Sequence, residues 1–182
     1  MNTPGSAAVT IPARITAQGL ADAIGRDVSE VTALLTARQE PDGNEDMLSA
    51  ELAIDTAKAL GATVTIEARD LTLEHLYTYE SLGTVTVVPA GRAGHLFEGV
   101  IAQVDDLDAQ IETASEHWSV ARMPMVDRNI LRIGLYELVN DTQTPTAVIV
   151  TEAVRLAQTY STERSGSFVN GVLAALAKEV RA

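Results

Sequence analysis

The 182-residue sequence contains no cysteine. That excludes a disulfide framework and thiolate chemistry, and it suits a reducing compartment. Aromatic residues are few, 4% against 46% hydrophobic overall, a balance that is ordinary for a helical globular protein and excludes disorder throughout. No apolar run approaches the roughly 18 residues that a membrane-spanning helix needs. The opening MNTPGSAAV lacks the basic end of a signal peptide, so the expected location is cytoplasmic. Basic residues are also scarce: 13 Lys and Arg face 25 Asp and Glu, for a formal net charge of −12. Residues 1–67 hold four basic and ten acidic side chains and residues 68–182 hold nine and fifteen, so each part carries −6. Such a chain repels phosphate backbones except through a local basic patch, because nonspecific binding is carried by Lys and Arg displacing counterions.

Catalytic constellations are equally thin. His75, His95 and His117 are far apart, none pairs with a second histidine at helical metal spacing, and without cysteine the usual zinc patterns are missing. There is no GxxxxGK loop, no glycine-rich strand-to-helix fingerprint and no GxSxG elbow. Carboxylates on helix surfaces are poor evidence for acid–base work, which needs burial or a close partner. The expectation is a binding protein with no catalytic residues, no metal and no cofactor.

What the sequence does contain is a strong central helix. In MPMVDRNILRIGLYELVN, residues 123–140, Ile130, Leu131, Leu135 and Leu138 recur at three-and-four spacing and lay one apolar stripe that must meet a core. Pro124 precedes the helix, Asp127 sits in its first turn at the positive end of the dipole, and NDTQTP ends it. A glycine inside a helix costs about 1 kcal/mol against alanine, so Gly134 predicts another backbone passing close, that of the following helix.

Taken in order, TIPARIT reads as a short extended piece. Thr16 caps AQGLADAI, which Gly25 ends in the left-handed conformation. Asp27 caps the second helix, with Glu30 completing a capping-box pattern, and Val31, Leu34 and Leu35 face inward. After QEPDGNED, Ser49 caps AELAIDTAKAL, Gly61 ends it, and residues 63–67 alternate as a strand. From Ala68 the pattern is helical. ARDLTLEHLYTYESLG turns Leu73, Leu76 and Tyr77 inward or onto the rim of a groove. Residues 84–93 read as a loop, and HLFEGVIAQVDDLDAQIETA as one amphipathic helix with Asp105, Asp106 and Asp108 on its outer face. Pro145 opens the next helix with Thr144 as its cap. The last helix, SFVNGVLAALAKEVR, contains a Gly171 that again predicts close packing, giving five helices in this half and no solenoid repeat.

VDRNILRIGLYEL, the threonine–proline turn, VIVTEAVRLAQTYS and SFVNGVLAALA together resemble the C-terminal half of NusB, a bacterial transcription antitermination factor with an all-helical fold. The resemblance implies a non-catalytic adaptor that holds NusE, the ribosomal protein that doubles as a transcription factor, together with leader RNA. In that family an arginine-rich tract and first helix hold RNA, whereas here TIEARDLTLEHLY keeps only Arg69 among Glu67, Asp70 and Glu74. Tyr77 and Asp127 fall on positions of the NusE-facing side. Arg164, replacing an acidic residue, and Phe168 fall on the turn and helix start that approach RNA. Each also has a plainer reading: Tyr77 and Phe168 as packing, Asp127 as a helix-terminal carboxylate. Arg128 and Arg132, one turn apart, form either a basic strip or salt bridges.

VTIPARITAQGLADAIGRDVSEVTALL followed by LSAELAIDTAKALGATV resembles the small N-terminal module of bacterial translation initiation factor 2. Ala33 and Thr36 stand where that family usually has lysines, and QEPDGNED replaces a mostly apolar strand. The expected fold class is therefore mainly α: a small α/β module of three short helices and short strands over residues 1–67, then a NusB-like all-helical bundle over residues 68–182. The alternative is a protein-interaction or homodimerisation module that has lost RNA binding. An accessory role in RNA modification ranks last, since no methyltransferase domain fits the length. A basic groove joining Arg69, Arg164 and Arg132 would favour RNA, and an apolar patch around Tyr77 with acidic rims would favour protein.

Overall fold

Helix α7, Met125–Asn140, is the axis of the larger of two structural units. The computed structural model describes residues 8–38, 47–84, 88–115 and 118–181. These divide at Asp70/Leu71.

In the N-terminal unit, strand β1 (Val9–Ile11) pairs in parallel with β2 (Val64–Ile66), and Ile15 bridges Leu48 antiparallel. Three helices complete it: α1 (Ala17–Ile24), α2 (Val28–Ala37) and α3 (Ala50–Ala59). Their starts follow directly from the sequence. The side chains of Thr16, Asp27 and Ser49 accept hydrogen bonds from Gly19, Ser29 and Leu52, satisfying amide N–H groups that the first turn leaves open. Gly25 closes α1 at φ 66°. The reciprocal arm of the capping box does not form, because Glu30 turns toward Arg26 at 3.5 Å. Leu20, Ala21, Val31, Leu35, Leu48 and Ala53 make this unit's own core, whereas Leu34, expected to face inward, is only partly buried and is not part of it. Residues 39–46, QEPDGNED, lie outside the described residues.

The larger unit uses α4 (Ala68–Leu82, which spans the division), α5 (Gly91–Ala102), α6 (Val104–Ala114), a 3-10 turn at Val120–Arg122, α7, α8 (Thr146–Tyr160) and α9 (Ser165–Val180). Ile130, Leu131, Ile133, Leu135 and Leu138 of α7 are each no more than 2% exposed. They meet Phe97 and Val100 of α5, Leu107 and Ile111 of α6, Leu156 of α8 and Leu173 of α9 in one cluster. Each such aliphatic side chain contributes about 1.5–3 kcal/mol by leaving water. The polar side of α7 is buried as well: Asp127, Asn129, Arg132 and Glu137 are 8% exposed or less. A helix covered on every side must have its charges answered by its neighbours.

Several expectations are corrected. The single helix expected from His95 to Ala114 starts earlier, at Gly91, and breaks at Gln103, so six α-helices rather than five are present here among the described residues. The buried positions 93, 96, 97, 100, 107 and 111 keep helical phase across the break, which hid it. Pro145 is the residue before α8 rather than its first, and Thr144 does not cap it. The Thr144 amide and hydroxyl instead donate to the Asp141 carboxylate. At Gly134 the close neighbour is a side chain of the last helix: an added Cβ would lie 2.7 Å from Leu173 Cδ1. Gly171 faces open space and needs no close packing.

The C-terminal end of α7 is closed from a distance. Arg181 Nε donates to Leu138 O at 2.8 Å and Nη2 to Glu137 O at 3.0 Å and to Asp141 O, while Nη1 donates to Thr144 O at 2.8 Å. A cation on the carbonyls of a last turn satisfies both their lone pairs and the negative end of the dipole.

Candidate functional site

Leu73 and Leu76 anchor α4 in the core, 5% and 2% exposed, and this phase turns Tyr77 outward at 47% exposure. Tyr79, 38% exposed, leans its ring edge on Phe97 with centroids 6.1 Å apart. Leu82 near the helix end is 72% exposed. The outer face of α4 therefore carries aromatic and aliphatic surface that the unit itself does not cover. Arg69, at the start of the same helix, is 7% exposed and pairs with Glu67 at 3.3 Å.

Further along α4, one turn past Tyr77, Glu80 enters a charged network. Its Oε1 accepts from Arg128 Nε at 2.7 Å and from Arg132 Nη1 at 3.2 Å, and its Oε2 from Asn129 Nδ2 at 2.9 Å. Arg132 also grips Asp108 of α6 with two bonds of 2.7 Å. Burial alone would raise the Glu80 pKa, but the hydrogen bonds from Asn129 and Arg128 and the charges of Arg132 and Arg128 outweigh it and hold the carboxyl below its ordinary value. Arg128 and Arg132 are thus not a basic strip facing solvent. They answer carboxylates brought from α4 and α6, so neither is a free base for RNA.

Asp127 lies in the first turn of α7 at 4% exposure. Its Oδ2 accepts from Ser165 Oγ at 2.9 Å, while its Oδ1 is buried without a hydrogen-bond partner. Ser165 opens α9, so this bond ties the start of α7 to the turn carrying Arg164. The structure thereby gathers three of the residues singled out in the sequence, Asp127, Arg164 and Phe168, at one corner. Arg164 is exposed at the N-cap position of α9, and Phe168, half-buried one turn later, packs against the core with part of its ring. Against that ring stands a residue the sequence reading passed over. Trp118 is 54% exposed, with its ring centroid 6.3 Å from that of Phe168 and a 51° tilt between the planes. A lone tryptophan in a polar linker, SEHWSVARMP, was the available signal.

No group of three or more His, Cys, Asp or Glu side chains that could hold a metal ion occurs among the described residues, and none of their helices is long and apolar enough to cross a membrane. The arrangement offers surfaces rather than a reaction centre.

Residues 51–178 match the NusB family model. The chain belongs to the NusB family. The family match begins at Glu51 in α3 and runs through α9, so it reaches across the division at residue 70. The transcription antitermination protein NusB of Leifsonia xyli is 40% identical over 126 residues, 66% of this chain and 87% of the relative. The solved structure of T. maritima NusB superposes with a TM-score of 0.56 at 30% identity, covering 62% of this chain and 89% of that one. A crystallised complex of the antitermination factors NusB and NusE with double-stranded RNA contains a chain that matches with a TM-score of 0.53 at 27% identity, over 62% of this chain and 94% of its own. The NusB fold and the helical unit are therefore the same architecture.

Proposed function

We propose that this NusB-family protein is a non-catalytic adaptor of transcription antitermination in the cytoplasm, joining a NusE-type ribosomal protein to RNA. The observation that carries the protein-binding part is Tyr77: a large amphipathic side chain, 47% exposed, on a helix whose inner face is fixed by Leu73 and Leu76. Such residues are favoured at interface centres, where an apolar body is buried and a hydroxyl finds a partner. Support comes from the family's NusB–NusE–RNA complex. Asp127, buried beneath the surface, acts on this reading by holding the α7 and α9 starts together rather than by direct contact.

RNA belongs to the corner of Arg164 and Phe168. The arginine-rich arm is absent and Arg69 is buried with Glu67, so few phosphates are neutralised and RNA affinity should be modest and salt-sensitive. The N-terminal unit, which resembles the module of translation initiation factor 2, is on this reading a separate interaction module.

The test is a titration of the full chain with the NusE-type protein from its own source, with and without leader RNA, at two salt concentrations. Binding that strengthens when RNA is present and weakens with salt supports the adaptor. Binding to the ribosomal protein alone would replace it with a protein-interaction module, and binding to neither would overturn it. Tyr77→Asp in a folded variant should abolish binding of the ribosomal protein, and unchanged binding removes the α4 surface from the account.

A further inference from the structure

We propose that the groove between α8 and α9 docks an amphipathic helix of a partner protein, with the partner's apolar stripe in the groove and a carboxylate beside it meeting Lys178. The groove lies toward the C-terminal end of α9, away from Arg164 and Phe168 at its start, and the proposal depends on neither the α4 surface nor RNA.

Three observations carry it. First, α8 and α9 fold back on each other and leave an open, mostly apolar groove of about 670 Å³, walled by Ala147 and Val150 of one helix and Ala174 and Ala177 of the other. One end is closed by Arg181, whose Nη1 donates to Thr146 Oγ1 at 3.3 Å. Small side chains on both walls let a third helix come close, and an apolar groove between two helices is a surface that amphipathic helices fill. Second, Gly171 lies three residues before Ala174 and seven before Lys178, so it shares their face of α9. It is exposed, and nothing lies within 4 Å of a Cβ built on it. The chain's own packing therefore gives no reason for a poor helix former in the middle of this helix, whereas a backbone arriving from outside does. Third, the charge of the groove is opposite to that of the chain. Residues 68–182 hold fifteen acidic and nine basic side chains, yet among the described residues no carboxylate lines the groove and two cations do. Arg181 is spent on the carbonyls that end α7, while Lys178 is exposed and makes no ion pair with the described residues. A positive spot beside apolar walls is complementary to a helix whose apolar stripe has an acidic flank. A second copy of the chain fits less well, because two-fold packing sets Lys178 against the same carboxylate-free face.

The test selects, on the full chain, from a phage-displayed library of helices about 15 residues long, the length of α8. Leucine and alanine are fixed along one stripe, and the flanking positions vary among glutamate, lysine, glutamine and serine. Selected sequences are made as labelled peptides and titrated by anisotropy. The expected result is enrichment of glutamate at a flanking position, with a preference that Lys178→Glu turns to lysine. Lys178→Gln should weaken the glutamate peptide about 2- to 5-fold, the range for an exposed ion pair. Ala174→Glu should weaken it about 30-fold or more, the size of a hot-spot loss. Gly171→Leu is the variant that keeps the fold: leucine is the better helix former and its Cβ meets nothing, so thermal unfolding should not fall, yet the peptide should be lost. Peptides indifferent to both Gly171→Leu and Ala174→Glu overturn the groove as the site. Enrichment of lysine in place of glutamate, or no enrichment over a library with the stripe scrambled, overturns the proposal. Sedimentation of the full chain over a range of concentrations tests the other occupant, and self-association abolished by Gly171→Leu would give the groove to a second copy and overturn the partner helix.

Discussion

Arg132 of α7 holds Asp108 of α6 by two parallel hydrogen bonds, Nε to Oδ1 and Nη2 to Oδ2, both 2.7 Å. This bidentate pair, with Glu80 on its other side, lets a helix that is covered all round keep a charged residue 8% exposed. The network clamps α4, α6 and α7 beside the exposed face of α4, so the surface proposed to bind protein stands on a rigid base.

Replacing Arg132 with methionine should destabilise the protein by about 2 kcal/mol. The loss of a fully buried partner costs about 3–5 kcal/mol, and an exposed pair at most about 1. The Asp108 and Glu80 side chains, 28% and 25% exposed, fall between those cases. Urea unfolding of the full chain, followed through the transition of the larger unit, measures the difference, and a change below about 0.3 kcal/mol would show that the pairs are surface decoration.

Acid should weaken the same network. The Glu80 pKa is lower in the folded chain than its ordinary value of 4.5, so its contribution is complete above that value and is lost as pH falls through the lowered one. Glu80→Gln should therefore be less stable than wild type at neutral pH, with the gap closing below about pH 4.5. A gap that stays constant in urea midpoints across this range would contradict the assignment.

Gly99 of α5 lies under the ring of Tyr136, and an added Cβ would stand 2.2 Å from the Tyr136 Cζ. Alanine favours a helix by about 1 kcal/mol, but a rigid ring cannot yield without leaving its site, and overpacking costs about 1–3 kcal/mol. Gly99→Ala should be destabilising by about 1 kcal/mol net. Adding Tyr136→Ala removes the clash, so the double variant should lose less than the sum of the singles in a thermodynamic cycle.

Arg181→Ala should cost about 2 kcal/mol, since charged-group hydrogen bonds contribute about 1.5–3 kcal/mol and several carbonyls at the end of α7 lose their donor together. Lysine keeps the charge but not the fork, so Arg181→Lys should fall between wild type and alanine in thermal unfolding.

The sequence by itself determined most of the helices and the three N-caps of the N-terminal unit. Thr16, Asp27 and Ser49 act within three residues of themselves, and the stripe of Ile130, Leu131, Leu135 and Leu138 is a matter of spacing along one helix. It also determined the family resemblance, carried by contiguous motifs. The break at Gln103 escaped because periodicity continues through it and no glycine or proline marks it. What only the tertiary structure decided depends on side chains far apart in sequence. Arg132 meets Asp108 24 residues away and Glu80 52 away, which turns a candidate basic strip into an internal clamp. Asp127 meets Ser165, and Trp118 meets Phe168, across intervals that no local pattern encodes. Local hydrogen bonds and helical phase are fixed by neighbours along the chain, whereas the availability of a charge or a ring to a partner depends on which distant residue reaches it first.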